Sequence, residues 1–99
     1  MIEPSMLGAI VKAAKKRIPC DHYRVILFGS RAGKTARQNS DYDIAIDAEQ
    51  DIPLSAIARL EDDLENLPAL TKIDLVDLRR SSPEIARAAR SEGRVIHEQ

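Results

Sequence analysis

The chain contains no tryptophan, two tyrosines and one phenylalanine in 99 residues. That scarcity excludes an aromatic core. It also leaves few platforms on which nucleic-acid bases can stack. There is a single cysteine, Cys20, so no internal disulfide can form and nothing suggests an oxidising compartment. Net charge is nearly absent too: fifteen basic against sixteen acidic residues leave −1. This balance argues against attachment to nucleic acid by bulk charge. No apolar run approaches the length of a membrane span. The N-terminus begins an amphipathic pattern rather than a signal peptide. The expectation is a soluble cytoplasmic protein, with neither a membrane nor nucleic acid as a direct partner.

What the chain does have is aliphatic. Hydrophobic residues make up 43% of it, enough for the core of one domain over residues 1–99. Met6, Leu7, Ile10, Val11, Ala14 and Ile18 recur at helical spacing, with Ser5 placed to cap the start and Pro19 to stop the helix. Lys12, Lys15, Lys16 and Arg17 fall mainly off that stripe and read as a solvated face. Tyr23 to Phe28 reads as a strand apolar on both faces, hence central in a sheet. A short helix over Arg31 to Arg37 and a strand over Tyr42 to Asp47 follow. Pro53 opens a helix carrying Ile57, Leu60, Leu64 and Leu67, and Pro68 closes it. Lys72 to Leu78 reads as a third strand. Ser82-Pro83-Glu84 is a helix start, Gly93 a helix end, and Val95-Ile96 at most an edge strand.

Three acids lie on these strands. Asp41 and Asp43 are two apart at a strand start, so their side chains leave the same face. Asp74 lies in an apolar run, Ile73-Asp74-Leu75-Val76, where an unpaired carboxylate is costly. Asp77 points the other way along that strand, so Asp74 is the better third partner. Carboxylates gathered on one face suit hard cations such as Mg2+. Gly29-Ser30 ends the first strand. Gly29 lets a phosphate approach the backbone closely, Ser30 offers a hydroxyl, and Arg31 is a second phosphate contact.

Two other motifs match superficially and fail. The stretch Gly29 to Thr35 looks like a phosphate-binding P-loop, but that loop needs four residues between its glycines and here there are three. An EF-hand starting at Asp41 would place Ala45, Ile46 and Ile52 where a ligand, a glycine and a glutamate are needed. His22 and His97 read as surface residues, and Cys20 as a loop or core-edge residue.

The order Gly29-Ser30, ten intervening residues, Asp41-x-Asp43 and a later strand acid, Asp74, resembles the nucleotidyltransferase superfamily of the DNA polymerase β type. The text Phe28-Gly29-Ser30-Arg31-Ala32 is most similar to its minimal nucleotidyltransferase (MNT) branch. The resemblance implies an α+β fold, a small mixed sheet with helices packed on it. It implies that Gly29 and Ser30 hold the triphosphate of ATP, and that Asp41, Asp43 and Asp74 hold two Mg2+ ions. It further implies a partner, a small helical HEPN-domain ribonuclease toxin. The MNT protein would be its antitoxin, transferring AMP from ATP to a tyrosine of the toxin. Gly33-Lys34 departs from the Arg-Gly order frequent in relatives. Two alternatives stay open: neutralisation by binding alone, and a nucleotide-binding subunit acting on a small molecule.

Overall fold

A computed structural model of the chain describes residues 4–28, 42–67 and 73–99. The expected short helix over residues 31–37 and the closing Pro68 lie outside them. The described elements are α1 (Pro4–Arg17), β1 (Tyr23–Phe28), β2 (Tyr42–Ala48), α2 (Leu54–Glu65), β3 (Ile73–Asp77), a 3-10 turn (Leu78–Arg80), α3 (Pro83–Glu92) and β4 (Arg94–Glu98).

The four strands form one sheet in the order β3-β2-β1-β4. β1 runs antiparallel to both β2 and β4, whereas β2 and β3 are parallel. The sheet is therefore mixed and the class α+β, as expected. A parallel pair cannot be joined by a tight turn, and α2 provides the crossover between β2 and β3.

The sheet is covered on both faces. Val25, Leu27, Ile44 and Ile46 pack with Ile10, Ala14 and Ile18 of the α1 region and with Leu60 and Leu64 of α2. On the other face Ile26 and Ala45 pack with Leu78 and with Ala89 of α3, and Phe28, Val76 and Ala86 border them. Two buried faces explain why β1 reads as an unbroken apolar run. Arg17 of α1 pairs with Asp63 of α2 at 2.6 Å and joins the two helices of the first layer.

Several local details differ from the sequence expectation. α1 begins at Pro4, with Ser5 in its first turn. β3 stops at Asp77, because the chain turns there into the 3-10 segment. Asp77 caps that turn, accepting from the Arg79 N–H at 3.1 Å and from Arg80 Nη1 at 3.0 Å. The same two arginines reach the β2–α2 connection: Arg79 Nε donates to Asp51 Oδ1 at 2.8 Å, and Arg80 Nη1 to the Ile52 carbonyl at 2.7 Å. Ser82 caps α3 as expected, its Oγ accepting from the Ile85 N–H at 3.3 Å with Pro83 in the first turn. β4 is a five-residue edge strand, longer than Val95-Ile96, and its pairing with β1 is interrupted by a register shift.

Candidate active site

β1 ends at Phe28 and β2 begins at Tyr42, so the chain leaves and re-enters the sheet at one end. Two of the expected acids lie at that end. Asp43 is the register partner of Phe28 on one side and of Asp74 on the other. The parallel pairing of β2 and β3 thus brings together two acids far apart in sequence. Phe28, Asp43 and Asp74 form a row across three strands on the face that α3 covers. One pleat further in, the row Ile26, Ala45 and Val76 belongs to the small apolar cluster under α3. Both aspartates are half-buried.

Neighbouring strands lie about 4.8 Å apart. Two carboxylates facing the same way at that spacing repel each other unless a proton or cation stands between them. Their oxygen donors suit a hard divalent cation. Gly29, Ser30, Arg31 and Asp41 lie outside the described residues. Gly29 directly follows Phe28, and Asp41 stands two residues before Asp43. Among the described residues no group of three His, Cys, Asp or Glu side chains forms a metal site.

Asp77 is on the opposite face of β3, with Ile73 and Leu75. Its side chain is 6% exposed and is held by Arg79 and Arg80. The parity argument that separated Asp74 from Asp77 therefore matches the structure. His22 is exposed, while His97 is half-buried with its ring 5.8 Å from that of Tyr23. Cys20 is buried, and burial pushes its thiol above the ordinary value.

Sequence reasoning missed one polar cluster. Asp47 accepts from Arg24 Nη2 at 2.6 Å, from Arg90 Nη2 at 3.0 Å and from Arg90 Nε at 3.2 Å. The Arg90 hydrogen bonds, helped by Arg24 and opposed by burial, hold the Asp47 carboxyl below the usual aspartate value. Asp47 shares a face with Asp43 but lies four residues further along β2. It borders a polar cavity of about 510 Å3, which His22, Glu49, Glu98 and Gln99 also line. The cluster ties β1, β2 and α3 together at the end of the sheet away from Asp43 and Asp74. The only sequence signal for it was a charge placed near each end of an otherwise apolar hairpin.

Residues 12–99 match the family described as polymerase beta, nucleotidyltransferase. The chain belongs to that family. Similar solved structures point to its MNT branch. A chain of a toxin–antitoxin crystal structure with AMP-PNP is 29% identical, with a TM-score of 0.77. The alignment covers 94% of this nucleotidyltransferase and 73% of that chain. A chain of the toxin–antitoxin MntA-HepT is 26% identical with a TM-score of 0.75, covering 98% and 74%. A structure of a tri-AMPylated Shewanella oneidensis HEPN toxin in complex with MNT antitoxin has a chain at 24% identity and a TM-score of 0.76, covering 99% and 74%; it shows the shared fold. No curated protein matches the chain. The resemblance read from Gly29-Ser30 and the aspartates is borne out for both superfamily and branch. No described helix is long and apolar enough to cross a membrane.

Proposed function

We propose that this nucleotidyltransferase is an MNT antitoxin that transfers AMP from ATP to a tyrosine of a HEPN-domain toxin. Residues 1–99 act as one minimal domain in the cytoplasm. The observation that carries the reading is the direct register pairing of Asp43 with Asp74 in a chain of this family. The similar complexes with AMP-PNP and with MntA-HepT support the choice of nucleotide and partner.

In this reading Gly29 and Ser30 receive the triphosphate, and Arg31 neutralises part of its charge. Asp41, Asp43 and Asp74 are the residues that would hold Mg2+, whose charge stabilises the attacking and leaving oxygens when it is bound. The tyrosine oxygen attacks the α-phosphorus, and the bond to the bridging oxygen of the β-phosphate breaks. Pyrophosphate leaves with the bonding electron pair. Asp74, at the edge of the pair, takes the tyrosine proton. A chain of 99 residues has little length left to enclose a large acceptor, so in this reading the toxin itself forms a wall of the acceptor site.

The test is transfer of label from α-labelled ATP to a co-purified HEPN toxin. The expected result is an AMP increment on a toxin tyrosine, lost with Asp43→Asn although the complex still forms. Full neutralisation by Asp43→Asn, with no modified toxin, would replace transfer with sequestration.

A further inference from the structure

We propose that Gly93, which no motif of the family reading includes, is a positioning residue for the Asp43–Asp74 pair, acting through Phe28. The inference rests on the nucleotidyltransferase reading of that pair. Gly93 is the single residue between the last helical residue of α3 and the first residue of β4. Its backbone, at φ −78° and ψ 166°, is open to any residue. Glycine is needed there for space instead. A Cβ at this position would run into Ile26 Cγ2 and the Ala89 carbonyl oxygen, and would stand 3.2 Å from Phe28 Cβ.

The neighbours have little room to yield. Ile26 is 1% exposed and wedged among Ala45, Leu78 and Ala89. The helix is also tied at the other end of the sheet, where Arg90 grips Asp47 through two hydrogen bonds. The Gly93 N–H donates to the Ala89 carbonyl at 3.0 Å, so the helix end cannot lift without losing its last bond. With the helix end held, the displacement falls on β1, at Ile26 first and with it at Phe28. That residue is paired with Asp43, which is paired with Asp74. It is also the last residue before Gly29. Close approach at Gly93 thus sets where the end of β1 stands, and with it the row of acids. Interiors pack at crystal density and transmit such shifts rather than absorbing them.

The experiment compares Gly93→Ala with Ile10→Val, a core change on the opposite face of the sheet. Two readouts are taken: backbone amide shifts by NMR, and AMP transfer from ATP at a temperature where both variants are folded. Gly93→Ala is expected to move the amides of Phe28, Asp43 and Asp74 and to lower kcat about tenfold or more, with KM for ATP little changed. Ile10→Val is expected to lower the melting temperature and leave both readouts unmoved. Unmoved amides at Asp43 and Asp74 in folded Gly93→Ala would overturn the proposal, whether or not the chain transfers AMP. Moved amides without any transfer by the wild type would instead count against the reading of the site. If Gly93→Ala does not fold, the wild type decides. Coupling is reciprocal, so ATP with Mg2+ should shift the Gly93 amide and not that of Ile10. No Gly93 response on nucleotide binding overturns the proposal.

Discussion

Asp43, Asp47, Asp74 and Asp77 carry the same side chain and do three different jobs, set by the face each is on and by what lies beside it. Asp43 and Asp74 are register partners on one face. Asp47, on that same face, is neutralised by two arginines. Asp77, on the other, caps a turn. Replacing Asp43 or Asp74 by Asn should cut AMP transfer by at least about 100-fold, since even outer-shell partners of a metal are worth 10–100-fold. Those variants should still fold. Asp77→Ala should do the reverse. It removes the acceptor of the Arg79 N–H and the buried half of the pair with the exposed Arg80, at a cost of about 1–3 kcal/mol, with the transfer rate per folded molecule kept. Rates and urea midpoints for the three variants check this. Asp47 makes a prediction in pH. Its folded pKa lies below the unfolded one, so its stabilisation is complete above about pH 3.9 and is lost as pH falls through the folded value. The fall in stability between pH 5 and pH 2 should be shallower in Asp47→Asn, as measured by thermal unfolding. The paired acids were legible because a period of two fixes their face whatever the fold. The Arg24–Asp47–Arg90 cluster was not. Its members stand 23 and 43 residues apart, and no local pattern records which strand lies beside which helix.

Elements announced themselves where their signals are local. α3 is the clearest case: Ser82, Pro83 and Glu84 fill the cap, first position and first turn. Ser82→Ala should remove about 1 kcal/mol, which in a domain of this size is about 4–8 °C of melting temperature. A smaller shift in a thermal scan would mean that the cap is not limiting. Elements were misread where tertiary contacts set the boundary. The third strand reads as running to Leu78 because leucine suits a strand. It stops at Asp77 because the carboxyl captures the Arg79 N–H two residues on. Gly93 ends α3 as read, and glycine is needed there because a side chain would collide with Ile26.

As a whole the molecule is a sheet with two helices on one face and a helix and a 3-10 turn on the other. One end of the sheet carries Asp43 and Asp74. Ligand binding to the folded chain alone stabilises it by mass action, about 2.7 kcal/mol at a hundred times Kd. ATP with Mg2+ should therefore raise the melting temperature, and EDTA should abolish most of that rise. An equal rise with and without the metal would remove Mg2+ from the account. The mixed character of the sheet was not legible from the alternation of helices and strands, which equally suits an all-parallel sheet. The family resemblance supplied it.

The two acids differ in how firmly they are held. Asp43 rides on a strand with a neighbour on each side. Asp74 rides on β3, which among the described strands pairs with β2 alone and stands at one edge of the sheet. Edge segments exchange their amide hydrogens through openings that cost less than global unfolding. An opening at this edge therefore carries off one carboxylate while β1 and β2 stay paired. Activity should vanish on heating before the fold does. In hydrogen exchange, the β3 amides that bond to β2 should lose protection several degrees below the temperature at which those between β1 and β2 do.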